Sequence, residues 1–181
     1  MTELRGTPVS ENILFFTVHK AASMFVYKVC HDLSKEAGMR YYSVNHNKRS
    51  RAYFDTEESN LEDINTWKTR IGCFAPLRYY FRIPEDLDAS VIIHLRDPRD
   101  VLVSLYYSEA FSHSVIKGVF ELGQSERHEI QNMGIDPFVI KKAEDFNRKY
   151  DNYWSLLSES SALFVKYEDL VLNFPSWLDD V

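Results

Sequence analysis

Lys20, Arg96 and Ser104 are of the residue types that hold phosphate groups, and each stands where one element gives way to another. Lys20 lies in TVHKAASMF, where an apolar run ends and a helical pattern begins. A tight strand-to-helix turn aims several backbone N–H groups and a helix N-terminus at one point, which attracts anions. The dipole alone contributes only ~0.3–1 kcal/mol when exposed. Charge-assisted hydrogen bonds from a lysine and the turn add ~1.5–3 kcal/mol each. Arg96 ends the stretch VIIHLR, and Ser104 follows eight residues later, about two helical turns on. A guanidinium fork and a small hydroxyl together suit a phosphate. Taken singly, each feature has a plainer reading: a surface lysine, an arginine paired with Asp97 or Asp100, a packing serine. The loop is not a Walker A motif, because GxxxxGK[ST] is absent and the lysine comes early in the turn.

The elements that would position these groups are readable from periodicity. Residues 12–18 and 90–95 are short, β-branched or aromatic, and nearly continuous in apolarity, as buried strands are. Residues 40–44, 69–74 and 162–165 are further strand candidates. After the first strand, Phe25, Val29 and Leu33 form an apolar helical stripe, and Gly38 marks its stop. Asp97-Pro98 starts a helix, as Asp is a good N-cap and Pro is favoured at N1. Asp136-Pro137 repeats the signal, and Phe138, Ile140, Ala143, Phe146, Tyr150, Tyr153, Trp154 and Leu157 give that helix an apolar face. A region over 113–134 is helical with a break near Gly123, and Pro175 opens a final helix. Strands alternating with helices predict an α/β fold with a mainly parallel sheet. Ligands of such sheets sit beyond the carboxyl ends of the strands, where Lys20 and Arg96 fall.

Composition narrows the function. A length of 181 residues suits a single domain, 1–181, with a sizeable core. A net charge of -6 argues against a general nucleic-acid or anionic-membrane binder but permits a local basic pocket. The polar N-terminus and the lack of an apolar run near ~20 residues predict a cytoplasmic protein without a membrane span. Cys30 and Cys73, the two cysteines, are expected to be free thiols. No metal-ligand cluster is visible, and oligomeric state is not legible.

Three segments in order resemble the sulfotransferase family that uses 3′-phosphoadenosine 5′-phosphosulfate (PAPS). TVHKAASMF resembles its 5′-phosphosulfate loop, VIIHLRDPRDVLVSLYYS its 3′-phosphate motif, and VKYEDLV a later tyrosine-bearing segment. The resemblance runs from about Phe15 to the C-terminus. It implies a P-loop-like three-layer α/β/α fold, transfer of a sulfuryl group from PAPS to a hydroxyl or amine of a small-molecule or glycan acceptor, and release of the 3′,5′-bisphosphate (PAP). No metal is implied. Lys20 would then contact the 5′-phosphate and bridging oxygen. Ala21, Ala22, Ser23, Met24 and Phe25 would form the phosphate cradle, with Phe25 near adenine. Arg96 and Ser104 would hold the 3′-phosphate, and Tyr167 would approach adenine.

The sequence departs from the family pattern in several places. Ala22 stands where glycine is common, so a positive φ there implies strain. Met24 replaces a hydroxyl donor. The segment before the central strand, RIGCFAPLRYYF, lacks the histidine base of many relatives. His46, in a region where other branches place a base, is the candidate proton acceptor, and a solvated loop histidine is the plainer reading. Glu57, Glu58 and His113 are further candidates. Arg78 is read as a contact for an anionic acceptor or the sulfate. The basic glycine-containing loop that follows YEDL in the family is not in these residues, so the domain reads as short at its C-terminal end. The alternative function is a catalytically incomplete PAP-binding or interaction module of the same fold. A nucleotide kinase on a related fold fits less well, lacking the Walker lysine.

Overall fold

The computed structural model describes residues 11–43, 68–112, 124–159 and 161–181. Among them, five strands form one sheet: β1 (Asn12–Thr17), β2 (Tyr41–Tyr42), β3 (Cys73–Leu77), β4 (Ala89–Leu95) and β5 (Leu163–Lys166). Their spatial order is β2-β3-β1-β4-β5, and every pairing is parallel. The central pair, β1 and β4, is in register from Asn12 with Ala89 to Thr17 with His94. Both faces of this pair are covered, which is why its sequence is apolar without alternation.

Among the described residues, six helices accompany the sheet: α1 (Ser23–Glu36), α2 (Pro98–Tyr107), α3 (Gln124–Met133), α4 (Ile135–Glu159), α5 (Tyr167–Leu172) and α6 (Phe174–Asp180). A π-helical turn, Ser108–Ser112, extends α2. Helices α2 and α4 pack Val101, Leu102, Phe146 and Tyr153 on Leu14, Phe16, Val91 and Ile93. Helices α1, α5 and α6 pack Val26, Cys30, Leu170 and Trp177 on Phe15, Ile92 and Val165. Because strand side chains alternate between faces, these are the two sides of one sheet, and the architecture is α/β/α.

The sequence expectations hold for the elements that carry the site and slip elsewhere. Asp97 caps α2 by accepting from the Arg99 amide at 2.9 Å, with Pro98 at the first helical position. Gly38, at φ 67°, closes α1. The third strand lies at Cys73–Leu77, not at 69–74. Gly72 explains the displacement: a Cβ there would fall 2.4 Å from the Arg40 carbonyl, so the chain passes closely before pairing starts. Pro76 is tolerated because Ala75 and Pro76 together face one residue of β1 at an irregularity in the ladder.

On α1 the buried residues are Val26, Cys30 and Ser34 rather than Phe25, Val29 and Leu33. The helix presents its smaller side chains to the sheet, allowing close packing, and leaves Phe25 43% exposed. Cys30 and Cys73 are free, buried thiols between α1 and β3. On α4, Ile140 and Trp154 are exposed, while Phe138, Phe146, Tyr150, Tyr153 and Leu156 are buried. Among the described residues, no helix is long and apolar enough to cross a membrane.

Candidate active site

A cleft of about 710 Å³ opens beyond the carboxyl ends of β1 and β4. That volume suits a nucleotide-sized ligand. Its walls come from the turn after β1 (His19, Lys20, Ala22, Ser23, Met24), the residues after β3 (Arg78, Tyr79), Arg96 after β4, the later part of α2 with its π-helical turn (Ser104, Leu105, Glu109), the face of α4, and Tyr167.

The turn after β1 is tightly wound. Lys20 has φ 67° and Ala22 φ 54°, both in the left-handed region. Ala22 is the N-cap of α1, and its carbonyl already accepts from the Phe25 and Val26 amides at 2.8 and 3.0 Å. With no side-chain cap, the amides before them in the first turn face the cleft end of the helix, an anion-favouring arrangement. The strained conformation that glycine would adopt freely is held here by alanine.

Arg96 leaves β4 and turns back over this loop. Its Nη1 donates to the Lys20 carbonyl at 2.9 Å, and its guanidinium lies 4.5 Å from the centroid of the Tyr167 ring. Asp100, one turn along, approaches its Nη2 at 3.8 Å, a loose contact with a largely exposed carboxylate. Helix α4 fixes the strand ends beneath. Tyr150 donates its hydroxyl to the Arg96 carbonyl, and Tyr153 donates to the Thr17 carbonyl at 3.1 Å. Burial pushes both phenols upward, so they remain donors at neutral pH. Glu168 completes the frame by accepting from the Asp97 amide at 3.0 Å.

The electrostatics favour an anion. Burial depresses the Lys20 pKa, Arg96 depresses it further, and Glu109 opposes them. Burial likewise lowers Arg78. The Nε atoms of Arg78 and Arg96 are buried without hydrogen-bond partners. Among the described residues, Arg78 Nη2 donates to the Met24 sulfur at 3.8 Å. Buried charged donors left unpaired are costly, and an anionic ligand is what would satisfy them.

Of the residues singled out from sequence, Lys20, Ala22, Ser23, Met24, Arg78, Arg96, Ser104 and Tyr167 line the cleft together. Ala21 is fully buried beneath it. Phe25 is turned toward Phe174, with ring centroids 5.6 Å apart. His46, Glu57, Glu58 and His113 lie outside the described residues. His94 is fully buried away from the cleft.

Residues 81–181 match the sulfotransferase domain family. The chain belongs to that family. This sulfotransferase domain shows structural likeness to a mouse sulfotransferase complexed with PAP, with a TM-score of 0.51, 11% identity, and 93% of this chain covered. It also aligns with retinol dehydratase in a complex with retinol and PAP, with a TM-score of 0.47, 14% identity, and 92% of this chain covered. The chain spans 56% of the length of the mouse sulfotransferase and 57% of that of retinol dehydratase. No curated protein sequence matches it significantly. The structural likeness concerns the fold, which is the P-loop-like α/β arrangement of sulfotransferases. Among the described residues, no group of three metal-binding side chains is present.

The cleft is also lined by Glu109, Lys142 and Lys149, and Lys20 is held by Ser108; motif reading passed over all four. Lys20 Nζ donates to Ser108 Oγ at 2.9 Å. Lys149 Nζ stands 5.6 Å from the Tyr79 ring centroid and 5.4 Å from that of Phe146. The signal for Ser108 was helical spacing, since it lies one turn beyond Ser104 on the same face.

Proposed function

We propose that this domain binds PAPS in the cleft and transfers its sulfuryl group to a hydroxyl or amine of an acceptor, releasing PAP. The observation that carries this reading is the convergence of Lys20 and Arg96 at the ends of the adjacent strands β1 and β4. The residues present fit such a donor: unpaired buried guanidinium nitrogens, an uncapped helix N-terminus, and a lysine with no ion-pair partner among the described residues. PAPS, when bound, supplies an activated sulfuryl group on its 5′-phosphate.

The chain's own residues then divide the work. Lys20 Nζ leaves Ser108 to meet the 5′-phosphate and stabilises charge as it grows on the departing oxygen. Ala21 to Phe25 offer backbone amides, and Ser23 a hydroxyl. Arg96 and Ser104 hold the 3′-phosphate, with Tyr167 stacked behind the guanidinium and close to the adenine position. Arg78 faces the sulfuryl group or an anionic acceptor. His46 is a candidate base by its sequence position. Transfer needs alignment of nucleophile, sulfur and leaving oxygen, which a rigid cleft on strand ends provides.

The test is incubation of the chain with PAPS labelled in the sulfuryl group, using 4-nitrophenol and desulfated heparin as probe acceptors. Labelled product formed by the parent and lost in Lys20→Ala supports the reading. PAP binding without transfer to any acceptor would favour a PAP-binding module.

A further inference from the structure

We propose that Glu109 is the general base of this cleft, taking the proton from the attacking acceptor group; this rests on the sulfuryl-transfer reading above. The stripe formed by Ser104, Leu105, Ser108 and Glu109 runs along one side of α2 into the π-helical turn. Ser104, Leu105 and Glu109 line the cleft, and Ser108 holds Lys20 Nζ at 2.9 Å. π-Turns redirect side chains at helix ends and concentrate at functional sites.

Glu109 is 7% exposed, yet it lines the cleft. No hydrogen bond or ion pair to its carboxylate occurs among the described residues. Buried carboxylates are ordinarily paired, so an unpaired one facing a basic cleft is a group in waiting. Its field already acts on Lys20, in the opposite sense to Arg96. The other cleft carboxylate, Asp145, is exposed and occupied by Arg148. His19 is engaged with the Tyr79 hydroxyl, at 3.4 Å.

The step balances. The acceptor O–H or N–H bond breaks and its proton passes to a Glu109 oxygen. The acceptor atom forms its bond to sulfur while the bond from sulfur to the 5′-phosphate oxygen breaks. That electron pair leaves on the phosphate, beside Lys20. Neutralising Glu109 also removes its hold on Lys20 as the phosphate charge grows. Glu109 afterwards returns the proton to solvent.

The experiment compares Glu109→Gln with the parent on two probe acceptors, benzyl alcohol and 4-nitrophenol, at a pH where the nitrophenol is already ionised. A base is needed only for the alcohol. We expect kcat on the alcohol to fall about 10²-fold or more, with a far smaller loss on the nitrophenolate. PAP affinity by calorimetry should stay equal or tighten, because a negative charge has left an anion site. Glu109→Asp should recover part of the alcohol activity. Equal losses on the two acceptors with weakened PAP binding would mark a structural role and overturn the proposal. So would unchanged alcohol turnover, or an alcohol-selective loss found in His46→Ala or His19→Gln instead. A parent that transfers to neither acceptor overturns this proposal together with the reading beneath it, whereas a transferring parent with an unaffected Glu109→Gln overturns this proposal alone.

Discussion

The guanidinium of Arg96 donates to the backbone carbonyl of Lys20 at 2.9 Å, tying the end of β4 to the turn after β1. Two segments 76 residues apart thereby become one cationic corner. Neither charge has a tight carboxylate partner among the described residues: Asp100 pairs loosely with Arg96 at 3.8 Å, and Lys20 Nζ donates to the Ser108 hydroxyl while Glu109 acts on it through its field. Such a corner is expensive without an anion and favourable with one.

Replacing Lys20 by Ala should lower turnover about 10²–10³-fold, the usual loss of one donor to developing charge. PAP affinity should fall much less. Steady-state kinetics with PAPS, set beside calorimetry with PAP, separate the two effects. Equal losses would argue that Lys20 binds donor and transition state alike.

Ala22 occupies φ 54° at the N-cap of α1. An L-residue there costs roughly 1–2 kcal/mol, against which glycine loses about 0.4–1 kcal/mol through the unfolded chain. Ala22→Gly should therefore leave stability unchanged or raise it by up to about 1 kcal/mol. Gly72→Ala should do the reverse, costing about 1–3 kcal/mol, because its Cβ would press on the Arg40 carbonyl. Urea unfolding of the two variants checks the pair, and a destabilising Ala22→Gly would contradict the left-handed assignment.

His94 gives a pH signature. It is fully buried among the rings of Phe15, Tyr167 and Trp177. Burial holds its pKa down to about 4 from 6.5, against a smaller pull upward from the Ala21 backbone. The unfolded chain binds this proton more readily, so the contribution is complete above about 6.5 and is lost as pH falls toward 4. The full loss amounts to roughly 3 kcal/mol. His94→Phe should flatten the stability curve between pH 6.5 and 4. A curve of unchanged slope would place the titrating group elsewhere.

Much of the cationic corner was legible because its markers are local. Asp97-Pro98 fixes where α2 starts, an apolar run fixes β4, and the spacing from Arg96 to Ser104 follows from helical geometry. Other features depend on packing that no short window records. The burial of Val26 instead of Phe25 follows from how closely α1 approaches the sheet. The shift of β3 to Cys73–Leu77 follows from the Gly72–Arg40 contact. The place of Glu109 in the cleft depends on a π-helical turn, and Lys149 enters because α4 crosses over the strand ends. Both are consequences of tertiary arrangement rather than of motif.

The most direct test of the central claim is calorimetric titration of the chain with PAP, set beside AMP and ATP, for the parent and for Arg96→Ala. The account predicts that the parent binds PAP at least about tenfold more tightly than AMP, through the 3′-phosphate. It predicts that Arg96→Ala removes about 1–3 kcal/mol of that affinity while hardly changing AMP binding. A parent that binds PAP no better than AMP, or an Arg96→Ala variant that binds PAP as the parent does, would contradict it.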